Sequence, residues 1–261
     1  MAPKKLQLEI SDGVAVITLN DPATLNAAST QLIEELAAAL RRAAAEARAA
    51  ILTGAGRAFS AGGDLSAGGM GGQAAQDRDI GERLESHINP LMTFIRDMPV
   101  PLVTAVNGPA AGVGCSLAIA GDFIVAAESA YFLQAFRRIG LVPDGGSTYM
   151  LPRMIGRARA MEMMLLGDRI PAQQAAAWGL VNRCVPDADL MTTAHAYARQ
   201  LADGPRSLAL IRKIVWQGLD QHWAAQLQLE RETQREAGRT ADFVEGVSAF
   251  QQKRPAKFTG R

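Results

Sequence analysis

Cysteine, histidine and an excess of either charge are all scarce here, and each shortage closes off a class of function. Cysteine occurs only as Cys115 and Cys184, in no Cys-x-x-Cys spacing, which supports neither a disulfide framework nor a zinc site. Both read as small buried hydrophobes. His87, His195 and His222 are far apart and lack companions at metal-ligand spacing, so they read as surface or core histidines and no metal is expected. With 27 Lys+Arg against 26 Asp+Glu the net charge is +1. That balance provides no footprint for nucleic acid or an anionic membrane, and neither is an expected partner. No apolar run approaches the roughly eighteen residues of a membrane span, and the two lysines near the start precede no apolar leader segment. The expected location is cytoplasmic. Gly-x-Ser-x-Gly, HExxH, Walker A and the complete dinucleotide glycine fingerprint are all missing.

What remains is a chain of 261 residues, 48% hydrophobic, enough for one large core or two smaller ones. The β-branched run at 14–19 follows a Ser-Asp-Gly turn and pairs with 6–10 as an opening hairpin. An alanine-rich helix is predicted over 30–45. Short apolar strands at 50–53, 102–106 and 123–126 alternate with helical segments near 82–97 and 114–120, the pattern of βαβ crossovers. From Gly146 onward the chain reads as helices punctuated by glycine, with one strand at 181–185. The expected class is therefore α/β with a C-terminal helical extension. Residues 62–73 hold six glycines in twelve positions and read as a mobile segment able to gate a pocket.

Two glycine loops each follow a predicted buried strand: Ala58-Phe59-Ser60-Ala61-Gly62-Gly63-Asp64-Leu65 and Asn107-Gly108-Pro109-Ala110-Ala111-Gly112-Val113-Gly114-Cys115. Each can aim a bare backbone N–H at one oxygen, and two donors from separate segments are what an oxyanion hole needs. A helix beginning near Gly112 would add its unpaired amides and dipole. Alternatively, Gly-Val-Gly serves tight helix-to-strand packing. Further on, Pro143-Asp144-Gly145-Gly146 precedes a helix predicted over 148–155. Asp144 has a strong capping role open to it, because Asp is a preferred N-cap and Pro-Asp-Gly-Gly is turn chemistry. It is equally a candidate base if Phe132, Phe136, Ile139, Leu141 and Val142 line its cavity, since desolvation raises a carboxylate's pKa. Arg153, Arg157 and Arg159 form a local basic group, usually a solvated face. Trp216 and Trp223 read as core or subunit-contact residues.

These loops, the isomerase-like turn at 139–146, the segment 151–161 and the C-terminal runs 229–232, 245–250 and 253–254 resemble the crotonase (enoyl-CoA hydratase/isomerase) superfamily. Within it the chain is most similar to the ring-epoxide isomerases that act on 1,2-epoxyphenylacetyl-CoA. The resemblance spans about residues 6–258. It implies a crotonase (ClpP/crotonase-like) spiral of ββα repeats over 1–200 with a helical trimerisation region over 201–261. It also implies an acyl-CoA thioester substrate and no cofactor beyond the substrate's own CoA.

Carried over by motif, Ala61 and Val113 supply the oxyanion amides and Asp144 the acid/base. Asn26, Ala27, Arg57, Ala61, Gly63, Asp64, Leu65, Gly112 and Phe136 become candidate contacts to substrate or CoA. Lys253, of the same or a neighbouring subunit, becomes a candidate partner of a CoA phosphate. The resemblance further implies a homotrimer or dimer of trimers. Hydratases of the superfamily use two glutamates, and Ser116 and Phe136 stand at those positions here, which directs the expectation to an isomerase. An enoyl-CoA hydratase and a non-catalytic CoA- or RNA-binding homologue are the alternatives.

Overall fold

The computed structural model describes residues 4–64 and 79–261. The opening hairpin forms as expected, β1 (Leu6–Ser11) against β2 (Val14–Leu19), antiparallel with Leu8 opposite Ile17. β2 then pairs in parallel with β3 (Ala49–Gly54), and β3 with β4 (Leu102–Val106). β4 is buried at every position, and so is β3 up to its terminal glycine. This is why both read as unbroken apolar runs: a parallel strand covered on both faces has no polar side to alternate with.

Between the strands, α1 (Thr30–Glu46) buries Leu32, Ile33, Leu36, Ala39, Leu40 and Ala43, one helical face, against β1 to β3. Ser29 caps it by accepting the Leu32 N–H at 3.3 Å. A π-helical turn at Leu84–Ile88 leads into α2 (Asn89–Asp97).

A second small sheet was not anticipated. β5 (Ala110–Ala111) lies beside β7 (Tyr131–Leu133), and β7 beside β8 (Ile170–Pro171). Strands of two or three residues are too short to show a period. α3 (Val113–Ile119) and β6 (Phe123–Ala127) separate β5 from β7. The large sheet runs β1-β2-β3-β4-β6-β9, with β9 (Arg183–Val185) at its edge and every pair after β1–β2 parallel. α4 (Ser147–Leu166) breaks at Gly156, whose φ of 78° is not helical, so the stretch is two helices joined at a kink. α5 (Ala172–Ala177) follows, and α6 (Leu190–Ala202) packs on β2, β3, β4 and β6.

Beyond the sheet come α7 (Ser207–Gly218), α8 (Trp223–Ala237) and α9 (Ala241–Gln251). Buried Arg212 ties α7 to the core: it pairs with Asp122 at 2.7 Å and donates to the carbonyls of Ile95, Arg96 and Met98. Trp216 packs against the core, whereas Trp223 is 77% exposed. Cys115 is buried and its thiol is pushed up to about 12 by burial, while Cys184 is only half-buried. Among the described residues no helix is long and apolar enough to cross a membrane.

Candidate active site

The first glycine loop leaves the C-terminal end of β3 and is held by the segment in front of α1. Asn26 takes a left-handed conformation (φ 56°) and is fully buried. Its Nδ2 donates to the carbonyls of Ala58 at 2.8 Å and Ala55 at 3.0 Å, and its own carbonyl accepts from Ser60 Oγ at 2.8 Å. The Asn26 side chain is thus spent on shaping the loop. The N–H of Ala28 donates to the Gly62 carbonyl at 2.7 Å, and the N–H of Ala61 to the Leu25 carbonyl at 2.9 Å.

That last bond removes Ala61 from the oxyanion pair, because a donor already bonded within the fold has no proton left for a ligand. The free amide lies two residues on. Gly62 turns the chain with φ +93°, and a Cβ there would sit 2.6 Å from the Ala111 carbonyl oxygen. Gly112 turns the second loop with φ +52°, and its Cβ position is 3.8 Å from Gly62 Cα. The two loops therefore touch glycine to glycine. The residue after each glycine, Gly63 in one loop and Val113 in the other, has an N–H with no acceptor among the described residues. Val113 is also the first residue of α3, where the helix leaves its leading amides unpaired. The shared pattern Ala-Gly-x, Ala61-Gly62-Gly63 and Ala111-Gly112-Val113, was the available signal: in both loops the presented amide follows the turning glycine.

The third wall is the turn at Asp144. Gly145, φ +59°, packs so tightly that a Cβ would meet Ser116 Cβ at 2.8 Å and Val113 Cγ2 at 3.4 Å. The Asp144 carbonyl accepts from Ser116 Oγ (2.9 Å), Ser147 Oγ (2.9 Å) and Ser147 N (3.1 Å). Ser116, read before only as a missing glutamate, is therefore one of the groups fixing the backbone of Asp144. The carboxylate does not cap α4: the cap position is Gly146, without a side-chain bond. Instead Asp144 Oδ1 is buried with no partner among the described residues. Burial pushes this carboxyl up from 3.8 to about 6, against the opposing pull of the Arg83 guanidinium. A carboxylate poised there can both accept and return a proton near neutral pH.

Phe136 is buried with its ring 3.7 Å from the Cβ position of Gly112. Phe132 is buried in β7, but Ile139, Leu141 and Val142 are 52%, 40% and 78% exposed, so these three do not enclose Asp144 within one chain. Ala27 is buried, whereas Arg57 is exposed and Asp64 half-buried beside the first loop. Leu65 and most of the glycine-rich segment lie outside the described residues. Lys253 is not brought to this cluster within one chain. It stands exposed just past α9, and the tail beyond it docks through Phe258 on Arg48, at the N-terminal end of β3, whereas the site loops leave the C-terminal ends of β3 and β4. Arg153 lies over the Tyr149 ring at 3.6 Å and Arg159 beside Trp178, a surface arrangement on α4.

Comparison with known proteins identifies the family. A family model described as enoyl-CoA hydratase/isomerase covers residues 9–261. A protein of Rhodobacter capsulatus named probable enoyl-CoA hydratase is 47% identical over all of both chains. The 1,2-epoxyphenylacetyl-CoA isomerase of Escherichia coli K12 is 43% identical over 97% of each chain. Among solved structures, the enoyl-CoA hydratase of Bacillus anthracis superimposes with a TM-score of 0.89 at 32% identity, covering 98% of this chain and 100% of its own. With a family model matched over residues 9–261, a relative 43% identical along 97% of each chain and a fold shared at a TM-score of 0.89, this chain belongs to the enoyl-CoA hydratase/isomerase family of the crotonase superfamily.

Proposed function

We propose that the protein is an acyl-CoA isomerase. The thioester carbonyl oxygen sits between the amides of Gly63 and Val113, which stabilise the enolate formed when a proton leaves C2. Asp144 takes that proton and returns it at C4, so that a 3-enoyl-CoA becomes the conjugated 2-enoyl-CoA. The same enolate stabilisation opens the ring epoxide of 1,2-epoxyphenylacetyl-CoA and lets it expand to the oxepin, which would place the enzyme in phenylacetate catabolism. The route draws on no cofactor beyond the substrate's CoA.

The observation that carries this reading is the buried carboxyl oxygen of Asp144, unpartnered among the described residues, together with Ser116 and Phe136 where a hydratase would need its two glutamates. The E. coli relative's isomerase name supports it, while the R. capsulatus relative's hydratase name makes hydration the reading to test against. Arg57, Ala27 and the backbone around Gly63 to Leu65 are the candidate CoA contacts. We assign the protein to a cytoplasmic homotrimer or dimer of trimers. Exposed Trp223, Phe243, Val244 and Phe250 (52–86% exposed) offer apolar surface for subunit contacts, and Lys253 would reach a CoA phosphate of a neighbouring subunit.

The test is an ultraviolet assay of 3-enoyl-CoA conversion to the conjugated thioester, run beside hydration of a 2-enoyl-CoA. Isomerisation that exceeds hydration supports the reading and leads to the ring epoxide as the next substrate. Rapid hydration with no isomerisation would replace it with the hydratase.

A further inference from the structure

Arg83 was not singled out by its sequence context, yet it is bonded to the segment that holds the first glycine loop. It immediately precedes the π-helical turn Leu84–Ile88, and such wide turns often mark functional positions. Its Nη2 donates to the carbonyl of Ala28, the same residue whose N–H holds the Gly62 carbonyl. The guanidinium is thereby fastened to the backbone that carries the Gly63 amide. Among the described residues its Nε is buried with no acceptor, as Asp144 Oδ1 is buried with no donor. The two groups make no ion pair with each other, but the charge of Arg83 acts on Asp144 through space.

The arginines nearest Asp144 along the chain are directed elsewhere. Arg137 and Arg138 donate to the carbonyls of Leu166 and Gly167 at the far end of α4, and Arg153 lies over Tyr149. α3 carries no ionisable side chain except the buried thiol of Cys115.

We propose that Arg83 is a positioning residue for the proton shuttle: without touching Asp144, its guanidinium favours the charged carboxylate and so keeps the base ready to accept a proton. Separation matters as much as proximity. A contact salt bridge would occupy the carboxylate oxygen that must meet the substrate, and an opposite charge in contact would make the group a weaker base. A cation held back by the Ala28 carbonyl offsets part of the desolvation cost and leaves the oxygen free. This inference rests on the reading of Asp144 as the acid/base.

The test measures kcat/KM and kcat for 3-enoyl-CoA isomerisation between pH 5 and 9 for the full-length wild type, Arg83→Lys and Arg83→Met. In Arg83→Met the acid limb of the profile is expected to move to higher pH by about 1. That corresponds to about tenfold lower kcat/KM along the limb, with most of the rate recovered by pH 9. Arg83→Lys should restore the limb. Arg83→Gln, uncharged but able to keep the Ala28 hydrogen bond, carries the same expectation as Met if Arg83→Met does not fold. An unmoved limb, or a pH-independent loss shared by Met and Lys, would overturn the proposal. Asp144→Asn run in parallel separates the two failures. Full activity in that variant removes the acid/base reading itself, whereas loss of activity with an unmoved Arg83→Met limb removes only the role of Arg83.

Discussion

Replacing Asp144 by Asn should remove activity and raise stability at the same time. The carboxyl is held at about 6 against an ordinary 3.8, chiefly by burial. Because the folded-state value lies above the unfolded one, the fold favours the protonated form. The stability this group contributes is complete below about pH 4 and is lost as pH rises through about 6. Above that window the buried charge costs up to about 3 kcal/mol, an upper bound because the residue is partly exposed and solvent screens it. Asn carries no charge, so at pH 7 the variant should gain about 1–2 kcal/mol, or a Tm higher by about 2–6 °C for a chain of this size. At pH 4 the gain should vanish.

The rate should move the other way. Removing a positioned general base costs about 10²–10⁴-fold, and wild-type kcat/KM should rise about tenfold between pH 5 and 7 and then level off as the carboxyl ionises. Thermal unfolding at pH 4 and pH 7, with the isomerase pH profile, checks all three outcomes. A variant that is less stable at pH 7 and as active as wild type would refute the reasoning, since a carboxylate that caps a helix or closes a turn behaves that way.

Val113→Pro deletes the second oxyanion amide at a position where proline fits, the first residue of a helix. It should lower kcat about 10²–10³-fold with a smaller change in KM, and a rate within threefold of wild type would remove Val113 from the site. Arg212→Met leaves three interior carbonyls without their arginine donor and Asp122 without its counter-charge, holding only the Leu102 N–H. It should destabilise the protein by about 3–5 kcal/mol in urea unfolding, and a loss under about 1 kcal/mol would show that α7 is held by apolar packing instead.

Much of the scaffold was legible along the chain because its causes are local. β3 and β4 declared themselves as short, mostly apolar runs bounded by Gly and Pro, α1 by its alanine-rich stretch, and β1–β2 by the turn between them. The exposure of Ile139, Leu141 and Val142 was not legible, because hydrophobicity states a preference for burial and not which surface provides it. Nor was the sheet β5-β7-β8, whose pairings join segments that have no pattern of their own.

By itself the sequence determined which loops could present bare amides, through the two Ala-Gly-x turns, and that the turn before α4 would carry one carboxyl. Tertiary structure decided which atoms are free. It bound the Ala61 amide to Leu25 and left those of Gly63 and Val113 unpaired among the described residues. It held Asp144 by its backbone carbonyl through Ser116 and Ser147, so that the carboxyl was buried without capping anything. It also brought Arg83, some sixty residues earlier in the chain, within electrostatic reach of Asp144. The physical reason is the same in each case: a glycine or a carboxyl has its chemistry wherever it stands, but whether a hydrogen-bonding group is spent or available depends on partners that only the folded chain brings near.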